Sequence, residues 1–274
     1  VAGLDLGGGK SVILGDNRTK DREDIFRAHG RAVESLKGRY ITAEDVGTSV
    51  EDMEYVLMET DSVTGLKGAS GDPSPVTAFG VYQGIKACAR FLYGDDSLQG
   101  KHIVVQGVGH VGYYLCRDLA NDGARLTITD IDEDRIKRVV EDFGATVVRN
   151  EDVYKVDAEV FAPCALGAVI NDDTLKVLNV DIVAGAANNQ LSESRHGKMM
   201  YDQGIIYAPD YVINAGGLCN VYGELQGWTS DQGKAKAGEI YDTILGILNQ
   251  AKAEDIPTSE AADRVAEKRI AEAL

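Results

Sequence analysis

The amino-acid sequence predicts an α/β protein built on a doubly wound parallel sheet, with a second and smaller α/β unit ahead of it. Three observations carry that expectation. From about Lys101 short β-rich runs alternate with helical segments, one strand-to-helix junction holds regularly spaced glycines, and the region before residue 69 lacks the alternation. Strands alternating with helices form a parallel sheet covered on both faces.

In chain order, DIFRAHGRAVESLKG (24–38) reads as a helix, YITAEDVG (40–47) as a strand running into a loop, and VEDMEYVLMET (50–60) as a second helix. TGLKGASGDPSPVTAFG (64–80) is rich in Gly, Ser and Pro, which marks a boundary, and it leads into a long helix through FGVYQGIKACARFLYG (79–94). KHIVVQ (101–106) is the first strand of the sheet, and HVGYYLCRDLANDG (110–123) is a helix that stops at Gly123. RLTITD (125–130) and DEDRIKRVVEDFG (132–144) repeat the strand–helix pair. ATVV (145–148), AEVFAP (158–163), VDIVAG (180–185) and GIIYAP (204–209) supply further strands, and 230–253 and 258–273 read as two closing amphipathic helices.

Bulk composition narrows the partners. The 274 residues, 44% hydrophobic, suffice for two domains. With 44 acidic against 28 basic residues the net charge is -16, which repels nucleic acid and anionic lipid, so neither is an expected partner. No apolar run approaches the ~18 residues of a membrane span. Cys88, Cys116, Cys164 and Cys219 are scattered among apolar neighbours, which argues against a metal site and for free thiols in a reducing cytoplasm.

The motif with the clearest chemistry is VVQGVGHVGYYL, where Gly107, Gly109 and Gly112 follow a strand and open a helix. Gly107 permits the tight turn, Gly109 admits a pyrophosphate to the backbone, and Gly112 allows close helix–strand packing. The phosphates then meet the free N–H groups of the helix start, Val111 included. The next strand ends at Asp130, whose carboxylate accepts hydrogen bonds from ribose hydroxyls and repels a 2′-phosphate. This Rossmann-type arrangement points to NAD rather than NADP. Arg135 falls inside the following helix and is set aside as a phosphate ligand.

Other residues are ambiguous alone. Lys10 follows Gly7, Gly8 and Gly9, residues that let backbone and a small ligand crowd an amine, the setting in which lysine serves as a base. A solvated surface lysine is the blander reading. Asp45 either serves chemistry or caps a turn. Asn188 and Asn189 follow an apolar strand of the nucleotide-binding sheet, and ligands collect at the carboxyl ends of parallel strands.

Taken together, LGGGKSVI, YITAEDVGT, SGDPSPVTAFGVYQGIKA, VVQGVGHVGYYL, FAPCALGAVIN, VAGAANNQL and YAPDYVINAGGLCNVYGEL resemble the glutamate, leucine, phenylalanine and valine dehydrogenase family across the whole chain and in order. The resemblance implies that Lys10 is the catalytic base and Asp45 its acid partner. It implies that Ser74, Thr77 and Asn188 lie by the cofactor in the interdomain cleft, and that Asn189 contacts substrate. The family's pocket positions fall on Ala43, Leu218 and Val221, all apolar. A glutamate carboxylate set against Val221 without a partner would cost several kcal/mol, so a branched aliphatic amino acid fits, leucine first. The implied reaction is NAD-dependent oxidative deamination to a 2-oxo acid and ammonia, and its reverse, by a dimer-based homo-oligomer of up to eight subunits. The alternatives are phenylalanine or valine as substrate, and an inactive NAD-binding relative. The resemblance also implies an NAD-binding domain at 69–256 and a substrate and oligomerisation domain at 1–68 and 257–274. The family carries a further stretch upstream of LGGGK, with a second lysine that holds the substrate carboxylate, so that substrate domain is expected to be partial.

Overall fold

The computed structural model describes every residue except 17, 46, 67–71 and 274, and the side chain of residue 273. The Gly/Ser-rich centre of the expected boundary therefore lies outside the described residues. The chain forms two compact units. One comprises Gly3–Pro73 and Leu218–Gly233, the other Val1–Ala2, Ser74–Gly217 and Lys234–Leu274.

In the smaller unit, helices α1 (Arg22–Glu34) and α2 (Val50–Leu57) pack on each other. Phe26, Met53, Val56 and Val63 form its core. Helix α2 starts where it does because Ser49 and Asp52 form a reciprocal capping box, satisfying backbone N–H groups that the first turn leaves without partners. The buried Asp52 carboxylate also receives Arg22 Nε at 2.7 Å and Nη2 at 2.5 Å, binding α1 to α2. The strand expected over 40–47 is reduced to a single parallel bridge between Thr42 and Val63. Among the described residues no third strand lies beside this pairing, and a lone pairing is marginal.

The larger unit holds the sheet. Helix α3 (Ser74–Tyr93) leads into β1 (His102–Gln106), α4 (His110–Asn121), β2 (Arg125–Thr129), α5 (Glu133–Phe143), β3 (Thr146–Val147), β4 (Ala158–Pro163), β5 (Val180–Val183), α6 (Arg195–Asp202), β6 (Ile206–Tyr207) and α7 (Asp210–Ile213). Helix α8 (Gly216–Gln226) and α9 (Ser230–Gly238) cross the division, and α10 (Ile240–Glu254) and α11 (Thr258–Ala273) close the chain. All strand pairs are parallel, in the order β3-β2-β1-β4-β5-β6, the doubly wound order. Alternation along the strands divides the core. Ile103, Val105, Val160, Ala162 and Ile182 join α3, α4 and α10 on one face, while Val104, Phe161 and Val183 join Leu175 and Met200 on the other.

Two expectations about the closing helices are corrected. The helix expected over 230–253 breaks at Glu239, directly after Gly238, where the helix loses side-chain support and gains backbone freedom. The segment 257–274, assigned above to the substrate domain, belongs to the sheet unit, because Ala261 and Ala262 of α11 are fully buried in its core. Leu218–Gly233 joins the smaller unit instead.

Candidate active site

The glycine motif lies where the sequence placed it, between β1 and α4. Gly107 has φ +91°, a left-handed value that favours glycine, and its N–H donates to Thr129 O at 2.8 Å. A Cβ on Gly112 would sit 2.1 Å from Gly107 O, so only glycine lets the first turn of α4 approach the loop this closely. Gly109 caps α4 with no side-chain hydrogen bond, which leaves the first-turn N–H groups, Val111 among them, for an anion. Asp130 follows β2 directly. Its Oδ2 accepts from Val108 N at 2.7 Å and its Oδ1 from Asp132 N at 3.0 Å, so the carboxylate is locked against the loop with lone pairs to spare. These features fit a dinucleotide: a loop without side chains, an uncapped helix start and an oriented carboxylate. Arg135, set aside above, comes close to this cradle. Its Nη1 lies 3.5 Å from where a Cβ on Gly109 would stand.

Asn188 and Asn189 lie in the loop after β5, at a neighbouring strand end. The loop after β4 packs on the cradle, with Ala165 Cβ 2.7 Å from the Cβ position of Gly107. It also reaches the loop after β5, where Ala168 N donates to Asn189 O at 2.7 Å. Asn189 adopts φ +51°, a conformation asparagine tolerates, and both Asn188 and Asn189 are exposed. Two supporting residues escaped sequence reasoning. Asn214 Nδ2 donates to Asn188 Oδ1 at 2.6 Å, and the buried Gln190 donates to the carbonyls of Gly185 and Ala187 at 2.8 and 3.0 Å. Both sit inside the strings VAGAANNQL and DYVINAGG, but nothing in their spacing separates them from ordinary loop polars. Ser74 is buried at the start of α3, and Thr77 lies half-buried within the first turn of that helix.

In the smaller unit Lys10 Nζ donates to the Asp45 carboxylate. The crowding expected from three glycines is found only at Gly9, whose Cβ position lies 2.9 Å from the Tyr40 ring; Gly7 and Gly8 face open space. Tyr40 also shares a 2.9 Å hydrogen bond with Ser11, so it braces the chain on both sides of Lys10. Asp45 sits in a turn and also meets the lysine. Its backbone forms a turn with Thr48, through Asp45 N to Thr48 Oγ1 at 2.8 Å and Thr48 N to Asp45 O at 2.9 Å, while its side chain meets the amine. The couple is open to solvent, with the lysine side chain 68% exposed. Of the pocket positions, Ala43 and Val221 are half-buried and Leu218 is 47% exposed.

A second polar cluster lies farther along the same two loops, at the start of α6. Asp172, Glu193 and His196 bring possible ligand atoms within 4.8 Å of one another. Arg195 already occupies it, with Nη2 2.5 Å from Asp172 and Nε 2.9 Å from Glu193, and the guanidinium holds the Asp172 carboxyl down to about 2. His196 Nδ1 accepts from Glu193 N at 3.0 Å, so the proton sits on Nε2, which faces Asp172 as a donor. The cluster is an internal ion pair.

The profile of the Glutamate/Leucine/Phenylalanine/Valine dehydrogenase family matches residues 127–274, and that of the Glu/Leu/Phe/Val dehydrogenase dimerisation domain matches residues 1–62. The chain is 56% identical to leucine dehydrogenase of Thermoactinomyces intermedius over 273 residues, covering 98% of the chain and 75% of that protein. It is 47% identical to valine dehydrogenase of Streptomyces coelicolor over 279 residues, covering 100% of the chain and 77% of that protein. Among solved structures, L-tryptophan dehydrogenase from Nostoc punctiforme superposes with a TM-score of 0.86 at 42% identity, over 99% of this chain and 79% of that one. A hetero-hexameric glutamate dehydrogenase from Thermus thermophilus shares the fold, with a TM-score of 0.74 at 20% identity over 92% of this chain and 68% of that one.

Proposed function

Because the chain belongs to the Glu/Leu/Phe/Val dehydrogenase family, we propose that it is an NAD-dependent L-amino-acid dehydrogenase acting on branched aliphatic substrates, leucine first. The observation that carries the reading is the contact between Lys10 and Asp45, an amine and a carboxylate far apart in sequence that meet within one unit. The leucine and valine dehydrogenases among the relatives agree with the apolar pocket positions Ala43, Leu218 and Val221. An aromatic substrate is the second reading, supported by the likeness to a tryptophan dehydrogenase.

The bound nicotinamide would supply an acceptor for the hydride leaving the substrate α-carbon. Lys10 takes a proton from water as that water attacks the resulting imine carbon. Asp45 takes a proton from the substrate ammonium before the hydride leaves and returns it to the carbinolamine nitrogen. As the C–N bond breaks and ammonia departs, the hydroxyl proton passes to the Asp45 carboxylate and the 2-oxo acid is left. Asn189 orients the amino group, and Asn188, tied to Asn214, lines the nicotinamide side. Asp130 selects NAD, because a 2′-phosphate beside that carboxylate would be repelled.

Residues 1–62 match a dimerisation domain, and Val12 and Leu14 in that stretch are 76% and 94% exposed, which supports a homo-oligomer. Among the described residues no helix is long and apolar enough to cross a membrane. The four cysteines are free, in keeping with a reducing cytoplasm. The test is NADH formation from leucine by the full-length protein and its Lys10→Ala variant. Turnover should fall about 10²–10⁴-fold. A variant as fast as wild type would overturn the assignment of the base.

A further inference from the structure

We propose that Glu224 is a positioning residue that sets the width of the substrate pocket, by tying the helix that carries Leu218 and Val221 to the segment that carries Ala43 and Asp45. The inference rests on the function proposed above. Every group in it belongs to the smaller unit.

Residues 62–64 are stitched alongside Thr42. Thr42 N donates to Ser62 O at 3.0 Å, and Thr64 N donates to Thr42 O at 2.9 Å. The ladder ends at Gly65, where φ +78° turns the chain out of the strand direction, a value that favours glycine. The N–H of Gly65 faces away from Thr42, as alternate donors along an extended chain do, and meets Glu224 Oε2 at 3.0 Å. On its other side Gly65 lies against Glu44, the residue between Ala43 and Asp45: a Cβ on Gly65 would sit 3.6 Å from both Glu44 N and Glu44 Cβ. Glu224 stands one helical turn beyond Val221, and Leu218 one turn before it. A carboxylate accepting a backbone N–H makes a short, directional link. One side chain thus spans from the helical wall of the pocket to the loop that holds the other wall and the acid partner.

Such a link matters because discrimination between aliphatic side chains turns on little space. One methyl group is worth about 10–200-fold in specificity, so a small outward shift of α8 erodes the preference for leucine before it slows chemistry. Glu224 itself touches neither substrate nor cofactor in this scheme.

The experiment compares wild type, Glu224→Ala, Glu224→Gln and Glu224→Asp in the full-length protein, with kcat and KM for leucine and valine and a circular dichroism check of folding. Glu224→Ala should raise KM for leucine and lower the leucine-to-valine ratio of kcat/KM by about fivefold, with kcat changed less than KM. Glu224→Gln keeps an oxygen that accepts the same N–H and should keep the wild-type ratio. Should the alanine variant fail to fold, Glu224→Asp decides: an arm shorter by one methylene must shift the ratio. A folded alanine or aspartate variant with the wild-type ratio overturns the proposal. So does a glutamine variant shifted as far as alanine. Wild-type protein that oxidises no aliphatic amino acid sinks the functional reading and this inference with it, whereas an active wild type with unshifted variants sinks this inference alone.

Discussion

Substituting alanine for Gly112 would set a methyl carbon 2.1 Å from Gly107 O, against about 3.3 Å for an ordinary carbon–oxygen contact, so about 1.2 Å must open between α4 and the loop before it. Neither side yields easily. Gly107 N is bonded to Thr129 O at 2.8 Å, Val108 N to Asp130 at 2.7 Å, and the far side of Gly107 is filled by Ala165. Overpacking of this kind costs about 1–3 kcal/mol, of which alanine's helix preference returns up to ~1 kcal/mol. Stability should therefore drop by about 1–2 kcal/mol. The larger effect falls on the cradle, since a displacement of about 1 Å in a positioning element costs on the order of 10²-fold in turnover. NADH affinity should weaken at least about tenfold, or about 1.4 kcal/mol. The assay is fluorescence titration with NADH beside urea unfolding. Gly246→Ala, in the middle of α10 with nothing within 4 Å of the new methyl, is the control, expected to gain up to ~1 kcal/mol and leave affinity unchanged. A Gly112→Ala protein that bound NADH like wild type would refute the close-approach argument.

Two further outcomes follow from buried ionisable groups. Burial penalises the Asp52 carboxylate, but hydrogen bonds from Arg22 and Ser49 outweigh that, and its pKa is lowered from the ordinary aspartate value. A lowered native pKa means stability that is complete above the unfolded value of about 4 and drains as pH falls through the native value. Arg22→Ala should therefore raise the pH of acid unfolding of the smaller unit and cost about 3 kcal/mol at neutral pH, read by far-UV circular dichroism; an unchanged acid midpoint would contradict this. The Cys88 thiol is pushed up to about 12 by burial, and burial also raises Cys116. Neither should react with an aromatic disulfide reagent in the native protein at pH 8, while all four thiols react in guanidinium; rapid native labelling of Cys88 would refute its burial.

Much of the sheet unit was legible in the sequence because its signals are local. A β-rich run, a glycine at each point of close approach and an aspartate at the next strand end lie within thirty residues, and each obeys a short-range steric rule. The smaller unit was harder to read. YITAEDVG has strand composition yet makes one bridge, since pairing depends on what lies beside it rather than on its own propensity. Helix α11 was assigned to the wrong unit for the same reason: two buried alanines carry no label of the core they enter.

By itself the sequence determined the strand–helix order of the sheet unit, the glycine loop between β1 and α4 and the residue types able to do proton chemistry, all of which follow from backbone sterics and side-chain chemistry within a few residues. Only the tertiary structure decided that Lys10 meets Asp45, that Tyr40 braces the lysine, that Asn214 holds Asn188 and that Glu224 reaches Gly65. Those contacts join residues 26 to 159 positions apart, and a contact across such a span exists only once the packing of whole elements has brought its two ends together.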